Sequence, residues 1–143
     1  MSSDRSRPII AAGAALFLLG LLTGFVVPNF LNPRMGLASH LEGVMNGTFL
    51  IAVGAVWHRL SLSTRQESAA FWFLIYGTYA NWIFVSLAAV FGTSEITPIA
   101  GRGHGGLPWQ ENLITVGLSS VGIAMVAGCA FLVVGFFRSR KVD

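Results

Sequence analysis

Charge is scarce in this chain. Nine lysines and arginines and six acids are spread over 143 residues, a charged fraction of 10%. A soluble domain carries about 25% charged residues, so a soluble module is excluded. The single cysteine, Cys129, rules out an intramolecular disulfide and a cysteine-based metal site. It lies in the last apolar run and reads as a small buried hydrophobe. No Ser-His-Asp arrangement and no HExxH motif is present. Gly101-Arg102-Gly103-His104-Gly105-Gly106 follows no strand of a βαβ unit, so it is not a phosphate loop. The net charge of +3 sits in short caps and loops rather than on one face, which excludes nucleic acid as a partner. The first apolar run lacks a small-residue cleavage site before polar sequence, so it reads as a retained helix.

What the chain has in abundance is apolar sequence, 54% by residue. It falls into four runs of the roughly 20 residues that cross a bilayer. They predict an all-α, integral membrane four-helix bundle forming a single domain over residues 1–143. The helices are expected at about 9–27, 37–57, 69–91 and 113–137. Gly20 and Gly24 form a GxxxG pair suited to close helix contact. The longest connection, Gly92–Asn112, is rich in Gly and Pro and reads as a folded cap over a pocket. It carries Glu95, Arg102, His104 and Glu111, to which the sequence assigns no role.

Arg5, Arg7, Arg59, Arg65, Arg138, Arg140 and Lys141 collect on one side of the predicted topology, and only Arg34 and Arg102 on the other. By the positive-inside rule both termini are cytoplasmic, in a multi-pass protein of a bacterial-type inner membrane. The connection at residues 28–36 and the long loop then share the opposite face, so the start of the second helix lies beneath that loop.

A few polar residues interrupt the apolar runs. An acid at mid-membrane costs about 2.5–3.5 kcal/mol, and such residues face a protein interior or a cavity. His40, Glu42 and Asn46 lie at or inside the second run, and Asn81 lies mid-span in the third. His40 is the only histidine predicted within a helix; His58 and His104 fall in connections. One histidine cannot build the bis-histidine site of an electron-transfer cytochrome within one subunit, but it can hold a haem iron on one side and leave the other open. Hydrogen bonding to a neighbouring carbonyl, with nothing bound, is the alternative. Glu42 and Asn46, four apart, share a helical face, either as a site or as an interhelical hydrogen-bonded pair. His40 and Asn46, six apart, diverge by roughly 120°. One helix cannot easily aim both at one small ligand, so the spacing predicts a homo-oligomer with sites at subunit interfaces. Asn81 is either helix–helix glue or a substrate contact, and Tyr76 and Tyr79 belong to an aromatic-rich helix that also contains Trp82.

The segment Asn32-Pro33-Arg34, Gly36-Leu37, His40-Leu41-Glu42-Gly43, Asn46-Gly47 resembles the hydroxylaminobenzene mutases, small integral-membrane enzymes. The likeness extends through Gly77-Thr78-Tyr79-Ala80-Asn81-Trp82 and the loop segments Thr97–Gly101 and Gly106–Asn112. A more distant resemblance, through Ala38, His40, Asn46, Gly47 and the Ala80-Asn81 pair, is to styrene oxide isomerase. That resemblance implies a homotrimer with haem b at its interfaces, His40 as iron ligand and Asn46 near the substrate. An aspartate and a tyrosine of the isomerase are matched here by Gly77 and Val85, which fits a different substrate.

The expected function is therefore an isomerase converting hydroxylaminobenzene to 2-aminophenol, with ferric haem b on His40 as Lewis acid. Asn46, Glu42 and Asn81 are the expected catalytic residues, and Tyr76, Tyr79 and Trp82 the expected substrate-binding aromatics. The partners are a small aromatic hydroxylamine, membrane lipid and further copies of the chain. The alternatives are epoxide rearrangement of the styrene oxide isomerase type and a non-enzymatic haem-binding or electron-transfer membrane protein. A small transporter would carry an acid in its first membrane helix, and residues 9–27 have none.

Overall fold

A computed structural model describes residues 5–138; the regular structure among them is all helical, with no strand. The long helices are α1 (Ser6–Val26), α2 (Pro33–Val56), α3 (Thr64–Phe91) and α5 (Pro108–Phe137); a short helix, α4 (Pro98–Gly101), interrupts the long loop. One 3-10 turn (Val27–Asn29) follows α1 and another (Trp57–Arg59) follows α2.

Each long helix starts three to five residues before its apolar run (6, 33, 64 and 108 against 9, 37, 69 and 113). Three of these starts have a visible chemical cause. Asn32 caps α2 by accepting from the Met35 amide at 3.2 Å, with Pro33 preset at the first helical position. Ser63 caps α3, and Gln66 reaches back to the Ser63 amide, a reciprocal capping box. Pro108 opens α5, where the Gln110 side chain accepts from the Leu107 amide at 2.8 Å. At the far end of α3, Gly92 takes φ +70 and stops the helix.

The helices pack in the order α1–α2–α3–α5, and α1 and α5 share no extensive contact. α1 and α2 meet almost backbone to backbone. A methyl group on Gly20 would lie 2.5 Å from the Val44 nitrogen, and one on Gly43 2.5 Å from the Gly20 Cα. Between α2 and α3 the seam is polar where Ser39 and Ser86 join their hydroxyls at 2.5 Å. One apolar cluster (Leu16, Leu50, Trp57, Leu74 and Leu132 among its members) fills the end near residue 60, and a second, around Met35, Ala88 and Ile114, fills the loop end.

The starts of α1 and α3 lie together with the end of α5: Arg5 donates to Ser68, Arg138 to Gln66, and the Ser61 amide to the Gly135 carbonyl. Arg140 and Lys141, counted in the charge asymmetry, fall outside the described residues. At the opposite end the long loop closes over the start of α2. Asn32 donates its amide N–H to Ala89 and its Nδ2 to Ala100, at 3.1 and 3.0 Å.

Ser6–Asn29, Thr64–Phe91 and Pro108–Phe137 are long and apolar enough to cross a membrane. α2 does not reach that standard; it is the helix carrying Arg34, Ser39, His40, Glu42 and Asn46.

Candidate active site

The polar residues of α2 divide between two seams. His40 turns toward α1, where its Nδ1 lies 2.8 Å from the Gly20 carbonyl. A carbonyl only accepts, so Nδ1 carries the hydrogen and, in the neutral ring, Nε2 keeps the lone pair. The ring sits against Gly24, where a methyl group would come within 2.9 Å of Nδ1 and 3.1 Å of Cε1. The GxxxG pair thus has two uses. Gly20 admits the α2 backbone, and Gly24 admits the imidazole.

Glu42 turns toward α3. Its Oε2 accepts from Asn81 Nδ2 at 2.6 Å and from Asn46 Nδ2 at 3.2 Å. The three side chains, all half-buried, form one cluster with a carboxylate between two amides. Oε1 has no partner among the described residues. Asn46 and His40 therefore serve different seams, in keeping with their angular separation on α2.

The aromatics of α3 are spread over two faces. Tyr79 donates from its hydroxyl to the Ala12 carbonyl at 2.8 Å, and Trp82 from its indole to Thr23 Oγ1 at 3.1 Å, so both are tied to α1. Tyr76 is 46% exposed and shares a 2.7 Å hydrogen bond with Ser120 of α5. Tyr76 and Tyr79 together line an open groove of about 460 Å³ along α3 with Trp72, Ile75, Ile83 and Phe84.

One residue to which the sequence assigned nothing has a definite place. Glu111 is 4% exposed. Its carboxylate accepts from the amides of Ser94, Glu95 and Gly106 at 2.8 to 3.2 Å. It organises the long loop from within. His104, Arg102 and Glu95 are exposed, and among the described residues no group of three or more His, Cys, Asp or Glu side chains is placed to hold a metal ion. A haem needs only one axial side chain. His40 meets that requirement, since a ligating imidazole commonly donates its other N–H to a carbonyl.

Residues 5–137 match the family model described as styrene oxide isomerase. The chain belongs to the styrene oxide isomerase family. It is 50% identical over 131 residues to hydroxylaminobenzene mutase HabB of Ectopseudomonas oleovorans, covering 91% of this chain and 80% of that protein. Hydroxylaminobenzene mutase HabA of the same organism is 47% identical over 131 residues, covering 91% of this chain and 97% of that protein. No solved structure matches significantly. With its family and both relatives named for isomerisations, the chain is an isomerase of the mutase type. Gly77 is packed against Met125, and Val85 is buried in the cluster around Met35.

Proposed function

We propose that this chain is a multi-pass membrane enzyme that rearranges hydroxylaminobenzene to 2-aminophenol. The observation that carries this reading is the Glu42 carboxylate, held at one oxygen by Asn46 and Asn81 and left with the other unpartnered among the described residues.

The reaction is an isomerisation. The N–O bond breaks, a C–O bond forms at the ortho ring carbon, and the ortho hydrogen leaves as a proton that returns to nitrogen. Atoms and electrons balance without an external oxidant or reductant. As N–O breaks, positive charge spreads over nitrogen and ring. A carboxylate fixed in apolar surroundings stabilises that charge more than water would. Glu42 Oε1 also takes the ortho proton and delivers it to nitrogen. Asn46 and Asn81 hold Oε2 so that the carboxylate need not reorganise, and the apolar helices keep bulk water from the cation. Tyr76, Tyr79 and Trp82 offer ring faces to the aromatic substrate.

The cofactor in this reading is haem b, held by His40 through Nε2, with Gly20 and Gly24 fixing the ring. When bound, it supplies a ferric Lewis acid for the hydroxylamino oxygen or nitrogen. His40 and Asn46 lie in different seams and α1 and α5 leave each other uncovered, so the reading places complete sites between copies, in a trimer. All four long helices cross the membrane, α2 sheltered by α1 and α3. The arginine-rich end, with Arg5, Arg7, Arg59, Arg65 and Arg138, is cytoplasmic. Gly77 and Val85, which stand where the resemblance to styrene oxide isomerase has an aspartate and a tyrosine, fit a substrate other than an epoxide.

The test is the visible spectrum of detergent-purified, haem-supplemented protein before and after hydroxylaminobenzene is added. A Soret band that shifts with substrate, and is lost in His40→Ala, supports the reading. Turnover to 2-aminophenol with no haem band moves the chemistry onto Glu42 and the asparagines and removes the cofactor from the proposal. No turnover by either form removes the substrate.

A further inference from the structure

At the arginine-rich end, a second kind of groove runs along α5 and meets α3 at Gln66. It has a volume of about 400 Å³ and is lined by Ala127, Ala130, Phe131 and Val134 of α5, with Gln66 and Arg138 at its mouth. From Ala127 to Arg138 is eleven residues, roughly 16 Å at 1.5 Å per residue. One leaflet of a bilayer has a hydrocarbon depth of about 15 Å. The walls are apolar along that whole length, and the two alanines keep the slot open.

The mouth has a one-sided chemistry. Arg138 Nη1 donates to Gln66 Oε1 at 3.0 Å, and the same oxygen accepts from the Ser63 amide and hydroxyl, both at 3.2 Å. The amide's acceptor is thus fully used, and its two N–H donors remain. The other guanidinium donors of Arg138 have no carboxylate partner among the described residues. Arg65 is exposed beside Gln66. Glu67, the acid nearest in sequence, accepts at one oxygen from the Trp57 indole at 2.8 Å. The mouth offers several donors and two arginines, Arg65 and Arg138, at the end of an apolar slot one leaflet deep. A lipid phosphate above an acyl chain matches both parts, and a headgroup of net negative charge suits the two arginines better than a zwitterionic one.

We infer that the α3–α5 groove is a binding site for an anionic phospholipid, its phosphate on Arg138 and Gln66 and an acyl chain along Ala130 and Phe131. The inference shares the membrane placement proposed above but does not involve the isomerase chemistry.

Native mass spectrometry tests it on full-length protein extracted from vesicles of equal parts phosphatidylglycerol and phosphatidylethanolamine. The wild type retains phosphatidylglycerol in preference. Arg138→Gln weakens that retention about five-fold, the effect of one interfacial arginine, while Arg138→Lys keeps most of it. Ala130→Leu, at an exposed position, fills the slot and displaces the lipid with the arginine intact. Arg34→Gln, at the other end, changes nothing. Equal retention of the two lipids overturns the inference, as does undiminished phosphatidylglycerol in Arg138→Gln or Ala130→Leu. An Ala130→Leu variant that lowers the mass of the assembly without losing lipid overturns it too, by seating a second copy in the groove. Circular dichroism confirms that each variant is folded, and turnover, read separately, reports on the isomerase reading alone.

Discussion

Glu42 and Glu111 are carboxylates on long helices, and the fold treats them in opposite ways. Glu111 is sealed, and backbone amides from three loop residues bond to both of its oxygens. Glu42 is half-buried, and only one oxygen is engaged, by two side-chain amides. Backbone donors cannot withdraw without unfolding the loop, so Glu111 is locked and stabilises structure. Side-chain donors can pivot, and an oxygen without a partner can accept a proton, so Glu42 is the carboxylate with chemistry still available.

The sharpest way to break the contrast is Glu42→Gln. Turnover should fall by about 10²–10⁴-fold, the range of a general acid–base, with the thermal melt nearly unchanged. A variant that keeps its activity would make Glu42 interhelical glue and no more. Glu111→Ala should do the reverse. It leaves the Ser94, Glu95 and Gly106 amides without their acceptor, at about 1–3 kcal/mol for each orphaned group. Chemical denaturation should show a loss of about 3 kcal/mol or more, and activity per folded molecule should persist.

Gly24→Ala carries the comparison to the other seam of α2. The added methyl group must displace the imidazole, and disturbing a ligand's support weakens metal affinity about ten- to a hundred-fold. Haem titration followed at the Soret band measures it, and unchanged affinity would detach His40 from the site. The smallest effect belongs to a third acid, Glu67. Trp57→Phe removes its indole hydrogen bond and should cost about 1 kcal/mol in the melt, with turnover untouched.

The long helices were legible because apolar runs of that length have few other uses. Their starts were less so, because the capping residues Asn32, Ser63 and Gln110 lie outside those runs. The four-residue helix α4 was not legible at all, being shorter than any periodic signal. Among the polar residues, His40, Glu42, Asn46 and Asn81 were legible because they interrupt apolar runs. The bonding of Glu42 to Asn46 followed from their spacing on α2, whereas its bond to Asn81 depended on how α3 lies. Glu111 went unassigned because its partners are backbone amides of Ser94, Glu95 and Gly106, which leave no trace in side-chain chemistry. The Gly20 carbonyl that orients His40 was hidden for the same reason.

The close seam between α1 and α2 bears on how the protein is made. On the membrane reading, α1 leaves the ribosome before α2 and is apolar enough to enter lipid by itself. The helix behind it carries His40, Glu42 and Asn46 and falls short of the apolarity of the other three. Its glycines let it lie against α1 at backbone distance, where its imidazole is satisfied by a carbonyl of the helix already inserted. The two therefore enter as a hairpin, and chain order becomes insertion order. Deleting α1 would strand α2 at the membrane surface, although none of the acid or amide side chains proposed for the chemistry had been touched.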